Sequence, residues 1–166
     1  MKNFNWRIAL KWGAVYALLA LIWLSLESMV GLHDSRVKYR VILTNLKYIP
    51  ILLIYYAALR ERRNFKPHEA YPYSQAFIEG LRLTAISTLL SIPAQYLSME
   101  YLVPDFLQKM EAAMIEGRWM TAVEAKEFFE FRSYFIQSVL AVPATGLMIT
   151  AIIALFVHRN AVQEAR

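Results

Sequence analysis

The chain has 166 residues, which is enough for one domain of ordinary size and too few for two. Its apolar fraction is 58% and its charged fraction 19%, whereas soluble domains average about 45–50% and about 25%. It contains no cysteine, which excludes disulfides, thiolate metal sites and cysteine nucleophiles.

The net charge of +5 would suit a nucleic-acid-binding protein if the basic residues formed a patch on a soluble surface. They instead flank four long apolar runs. This distribution is typical of membrane proteins, in which Lys and Arg fix the orientation and attract anionic lipid. We therefore expect the lipid bilayer, and not nucleic acid, as a partner of the chain.

The apolar runs are long enough to cross a membrane. A helix rises about 1.5 Å per residue and the hydrocarbon core is about 30 Å thick, so roughly 20 apolar residues span it. Backbone groups in lipid must be satisfied within their own segment, which favours helices. The sequence predicts an all-α polytopic membrane protein, a single domain over 1–166. Its four transmembrane helices are expected at about 8–32, 41–60, 75–103 and 133–157.

The first run follows basic residues, as a signal peptide does, but it is too long and lacks a convincing cleavage site. We therefore expect an uncleaved span. Lys and Arg near the span ends number nine on the side of the termini and seven on the other. Three of the nine lie close together in the basic block 60–63, which strengthens the difference. The positive-inside rule then predicts that both termini are cytoplasmic.

The segment 104–132 is too long and too regular to be a plain loop. Its apolar residues recur at helical spacing, and Gly117 is suited to end a helix. Thr121 and Glu124 have the spacing of a capping box, which should open a second helix that continues into the last span. The pattern predicts an amphipathic helical hairpin on the outer surface. It could be a passive cover for helix ends, or a docking surface or gate.

Three charged residues inside or near the spans are candidates for a site. Glu27, Lys47 and Glu100 should lie at a similar depth, close to the outer face. Acid and base at one level can pair, which reduces the cost of charge in an apolar medium. The trio could be an interhelical salt bridge held for stability. It could also be a proton- or ligand-binding cluster.

A polar stripe runs along the third span at spacings of three and four, which should turn it toward other helices or water rather than lipid. Packing explains it more simply than a conduction pathway does. The stripe consists of Thr84, Ser87, Ser91, Gln95 and Ser98. No phosphate loop, nucleophile elbow, dinucleotide fingerprint or zinc signature is present, so we expect no cofactor, no metal and no catalytic residues.

Five stretches resemble a family of small bacterial membrane proteins, the domain of unknown function 4199. They are Gly31–Asp34, Thr44–Pro50, Gln75–Gly80, Met120–Ala125 and Arg132–Tyr134, in the family's order. The resemblance implies four helices in an inner membrane. The resemblance implies no activity and identifies no functional residues.

Three functions remain open at this point. The leading hypothesis is a non-catalytic accessory or scaffold subunit that binds another membrane protein or forms a homo-oligomer. A small oligomeric transporter or channel could instead use the polar stripe. The third possibility is a membrane anchor or subunit of a lipid-linked enzyme.

Overall fold

A computed structural model describes residues 5–32, 36–65, 67 and 69–159. Within residues 36–65, the side chains of 37, 38 and 41 are not described. His33 and Asp34, at the end of the first stretch that resembles the family, lie outside the described residues.

The described ranges are helical, and the only β pairing in them is an isolated bridge between Tyr71 and Arg159. A 3-10 turn (Thr44–Lys47) joins the second and third helices without a break, and a π-helical turn (Ser98–Leu102) extends the fourth. The helices in chain order are α1 (Trp6–Met29), α2 (Val37–Leu43), α3 (Tyr48–Asn64), α4 (Tyr73–Leu97), α5 (Phe106–Glu116), α6 (Ala122–Phe128) and α7 (Phe131–Val157).

Three of the helices described are long and apolar enough to cross a membrane. They are α1, α4 with its π-helical extension, and α7. The second apolar run of the sequence is divided among α2, the 3-10 turn and α3. Its last turn is basic, with Arg62 and Arg63 inside the helix. At 17 residues, α3 is shorter than these three helices and is not among them.

Helix α4 lies at the centre and contacts α1, α3 and α7. The main core forms where these helices meet, around the fully buried Tyr55. Gly13 permits the close approach of α1 to α4, because a Cβ there would lie 2.7 Å from the Cγ2 atom of Ile86. Small residues at the contacts let the helix backbones approach closely, as in helix packing within lipid.

Helices α5 and α6 contact each other and cover one end of the bundle, which we call the α5–α6 end. Their apolar sides form a second cluster around Phe106 and Met110, which also contacts Leu24 of α1. Edge-to-face contact between Phe106 and Tyr134 joins this cluster to α7. The cluster therefore closes this end of the bundle with aromatic packing.

The predicted capping box of α6 is confirmed, since Thr121 and Glu124 cap each other's backbone N–H groups. Gly117 is the C-cap of α5, as predicted, although its φ is −71° and the left-handed residue is Arg118 at φ 56°. One neighbouring expectation is wrong. Helix α6 does not continue into α7, because Glu130 accepts a hydrogen bond from the Ser133 N–H and starts a new helix.

The opposite end of the bundle is held by polar contacts. Tyr71 and Arg159 exchange two backbone hydrogen bonds of 2.8 and 2.7 Å, which joins the start of α4 to the end of α7. Buried Glu79 lies 3.5 Å from both Arg62 and Arg82. These contacts leave little free volume at this end of the bundle, where the small cavity beside Arg62 and Glu79 measures about 20 Å³.

Candidate functional site

A cavity of about 340 Å³ lies in the half of the bundle next to the α5–α6 end. Its walls come from α1, the α2–α3 segment, the end of α4, Phe128 of α6 and the first half of α7. The cavity is partly open. Its volume falls in the range of about 300–1,000 Å³ that is usual for small-molecule sites.

One wall of the cavity carries three hydrogen-bond donors in a row, which we call the donor row: Arg40, Thr44 and Lys47. Residues spaced by four and seven lie on the same face of a helix, so the continuous α2–3-10 segment turns all three inward. The Nε atom of Arg40 and the Oγ1 atom of Thr44 are buried and have no hydrogen-bond partner in the structure described. Buried polar atoms of this kind call for a specific explanation, such as a bound molecule.

Glu27 of α1 faces the donor row and is almost completely buried, with 4% of its side chain exposed. The indole N–H of Trp23 donates to its carboxylate at 2.6 Å, and Arg40 Nε lies 3.8 Å from the other oxygen. The Arg40 guanidinium also lies 5.2 Å from the centre of the Phe106 ring. Arg40 therefore connects α1, α2 and α5 and partly compensates the buried acid.

Lys47 occupies the end of the donor row that is farther from Glu27 along the chain. Its ammonium nitrogen lies 5.6 Å from the centre of the Tyr48 ring. Among the described residues it forms no ion pair. In the described part of the chain, the cavity wall therefore holds two cationic side chains, Arg40 and Lys47, and one acid, Glu27.

The remaining walls are mainly apolar and aromatic. Leu19, Ile51 and Val142 line the part of the cavity nearest the bundle centre. Tyr16 closes it there, and its ring meets that of Tyr55 edge to face at 6.4 Å. The site therefore combines a polar, cationic side with an apolar interior, as expected for an amphiphilic ligand.

The family model described as "Protein of unknown function (DUF4199)" matches residues 11–159. The chain belongs to this family. The resemblance found in the sequence is thereby confirmed, and the matched region contains the whole cavity. Comparisons with curated proteins and with solved structures found no match.

In this DUF4199 chain the structure places two of the three predicted charged residues on one cavity. Glu27 and Lys47 both line it. Glu100 is exposed in the π-helical turn and is not part of the wall. Among the described side chains, Arg40 lies 3.8 Å from the Glu27 carboxylate, and the sequence pattern did not single it out. The spacing of Arg40, Thr44 and Lys47 was the signal that could have identified it.

The predicted polar stripe of α4 divides between two environments. Gln95 and Ser98 line the cavity, although Ser98 Oγ also donates to the Ala94 carbonyl at 2.9 Å. Thr84, Ser87 and Ser91 are buried farther along the helix. There, Thr84 Oγ1 lies 2.9 Å from the Tyr55 hydroxyl and donates to the Gly80 carbonyl. Only the end of the stripe next to the α5–α6 end can contact a ligand in the cavity.

The parts of the chain that the structure describes contain no recognisable metal site. No group of three His, Asp or Glu side chains gathers there to hold an ion. The acid of the cavity is already engaged with Trp23 and Arg40. The arrangement can bind and orient a ligand through the donor row.

Proposed function

We propose that this protein is a non-catalytic accessory subunit of the bacterial inner membrane that binds a small molecule inside its helix bundle. The observation that carries the proposal is the cavity of about 340 Å³ with the donor row on one wall. Its size suits a ligand, and it places a few polar groups against apolar walls, as binding sites do. In an accessory role, the protein would bind a partner membrane protein, and the bound ligand would change how the partner acts.

Four membrane spans are part of this proposal, with the α2–α3 segment as the fourth. Its helical backbone runs from residue 37 to residue 64, which at about 1.5 Å per residue reaches roughly 42 Å. Helix α3 contacts α1, α4 and α7, so the segment lies within the bundle. With both termini cytoplasmic, α5 and α6 form an outer helical hairpin over the cavity.

Binding is better supported than conduction. A conduit must continue past Tyr16 and Tyr55, but both rings are buried at the inner limit of the cavity. Beyond them, α4 and α7 are in close contact along Gly80, Thr84 and Gly146. A transporter or channel would have to separate these helices. The third possibility, an anchor or subunit of a lipid-linked enzyme, has no specific support. The acid of the cavity, Glu27, already contacts Trp23 and Arg40 and is therefore a poor candidate for a catalytic acid or base.

Extraction from native membranes into polymer nanodiscs, without detergent, followed by native mass spectrometry, tests the proposed binding. Wild-type protein should retain a small molecule. Ala141→Trp should remove it, because Ala141 lines the cavity and an indole would fill it. Ala144→Trp is the matched control on the exposed side of α7. Empty wild-type protein, or equal occupancy in both variants, would refute binding in this cavity.

The accessory role has its own test. The same extraction, analysed for protein content, should yield a second membrane protein in fixed stoichiometry with the chain. Recovery of the chain alone, or only with copies of itself, would contradict that part of the proposal. A homo-oligomer with a hydrated interior would favour the transporter instead.

A further inference from the structure

We infer that the cavity takes a single-chain amphiphile with an anionic headgroup, and that the donor row binds the head. The inference rests on the proposed function and names the class of its ligand. A carboxylate, as in a fatty acid, and a phosphate monoester, as in a lysophosphatidate, share the required chemistry. Both present several acceptor oxygens on one head and a single apolar chain.

The donor row indicates that the headgroup carries a negative charge. Arg40, Thr44 and Lys47 offer a guanidinium, a hydroxyl and an ammonium, and the first two hold buried donor atoms without an acceptor. Among the described residues that line the cavity, Arg40 and Lys47 are cationic and Glu27 is the acid, so this part of the wall has a net positive charge. An anion supplies both the missing acceptors and the missing charge, since charge-assisted hydrogen bonds are the stronger ones.

A single headgroup can reach the whole row. Arg40 and Lys47 are seven residues apart, which corresponds to about 10 Å along a helix. Their long side chains can converge from both ends on a head placed beside Thr44. The headgroup then lies between α1 and the α2–3-10 segment, at the end of the cavity that α5 and α6 cover.

The size of the cavity favours one chain inside it. The whole cavity, including the space beside the donor row, measures about 340 Å³, which equals roughly eleven liquid-water volumes of about 30 Å³ each. This volume has room for one short chain. Leu19, Ile51 and Val142 line the path of the chain, which ends at Tyr16. A polar head at the donor row and an apolar end at Tyr16 give the ligand one orientation.

A pair of brominated probes tests the headgroup. Purified protein in phosphatidylcholine nanodiscs is titrated at pH 8.5 with 5,6-dibromoundecanoate and, separately, with the neutral 5,6-dibromoundecanol, whose bromines lie in the part of the chain nearer the headgroup. Bromine quenches tryptophan fluorescence, and Trp23 lies in the cavity wall. Quenching that disappears in Trp23→Phe is assigned to the cavity. We expect the carboxylate to bind at least tenfold more tightly than the alcohol.

Variants of the donor row assign the preference to named side chains. Lys47→Met should weaken carboxylate binding by about tenfold or more and leave alcohol binding unchanged, since a hydrogen bond to a charged group is lost. Lys47→Arg should restore most of the affinity. Thr44→Val, which keeps shape and charge, should cause a smaller loss and serves if Lys47→Met does not fold. Lys126→Met is the matched control, because Lys126 is exposed on α6.

The results of these titrations distinguish a failure of the anionic headgroup from a failure of the proposed binding in the cavity. If both probes quench Trp23 equally and Lys47→Met changes neither, the anionic headgroup is refuted while cavity binding stands. If neither probe quenches Trp23, both proposals fail. If the bromo-carboxylate does bind, its displacement by dodecanoate or by dodecyl phosphate shows which of the two headgroups is preferred. Displacement by dodecanol alone would overturn the inference.

Discussion

Thr84 of α4 fits against Gly146 of α7, so closely that a methyl group on Gly146 would overlap the threonine side chain and approach the Tyr55 hydroxyl to 2.6 Å. One turn away the relation is reversed, and Thr150 of α7 fits against Gly80 of α4. Each helix therefore contributes a glycine and, four residues later, a threonine. Two antiparallel helices with this spacing place each threonine on the partner's glycine.

Gly146→Ala should destabilise the protein by about 1–3 kcal/mol, because the added methyl overpacks a closed contact. Helix propensity alone would give the opposite sign, since alanine is favoured over glycine by roughly 1 kcal/mol within a helix. Thermal unfolding in a fixed detergent measures the difference. Met148→Ala on the exposed side of α7 is the control, with a change of no more than about 0.5 kcal/mol expected. A more stable Gly146→Ala would show that the contact is not closed in solution.

Much of the fold was predictable from the length of the apolar runs. Three of the runs form helices that could cross a membrane, because a long uncharged segment has few other stable structures. The second run was harder, since hydropathy does not indicate where α2 gives way to a 3-10 turn. The break before α7 was also missed, because it depends on the Glu130 side chain capping Ser133.

The site was predicted less well than the fold. Depth along a helix can be counted at about 1.5 Å per residue, but depth does not show which face of the helix a side chain occupies. Glu27 and Lys47, which were predicted to lie at one depth with Glu100, both line the cavity, whereas Glu100 does not. The partner that contacts Glu27, Arg40, was assigned to a loop, because its pairing depends on the tertiary placement of α2.

The proposed orientation predicts the result of a topology assay. A reporter fused after Arg166 should give the cytoplasmic signal, and one inserted beside Gly117 should give the exterior signal. The positive-inside rule is the physical basis, because this orientation places the basic block 60–63, at the end of α3, in the cytoplasm. Fusions that give the reverse signals at both positions would invert the topology and move the α5–α6 end to the cytoplasm.

The capping box of α6 should respond to pH. Hydrogen bonds from the backbone N–H and the hydroxyl of Thr121 lower the pKa of Glu124. A lowered folded-state pKa means that the stabilisation is complete above the unfolded pKa and is lost as the pH falls through the folded pKa. Hydrogen exchange of the α6 amides, corrected for intrinsic rates, should therefore accelerate at acidic pH. Glu124→Gln should remove this response, whereas Glu127→Gln should keep it.

The last prediction concerns the pairing of Glu27. Because Glu27 is buried and the described cation Arg40 lies 3.8 Å from its carboxylate, removing either charge alone should destabilise the protein. The double variant Glu27→Gln/Arg40→Met should be more stable than the sum of the single losses predicts, with a coupling of roughly 1–3 kcal/mol. The corresponding cycle with Lys47→Met should show weaker coupling, and Glu100→Gln should change stability by less than about 0.5 kcal/mol.

Thermal unfolding of the single and double variants in one detergent measures all of these terms, and ligand binding by each variant is measured alongside. Equal coupling of Glu27 to Arg40 and to Lys47 would place these three side chains in one charge network. Additive losses for Glu27 and Arg40 would show that the two side chains do not meet. Lys47→Met with unchanged melting and weakened binding of the bromo-carboxylate is the expected pattern, because its ammonium then acts on the ligand and not on Glu27.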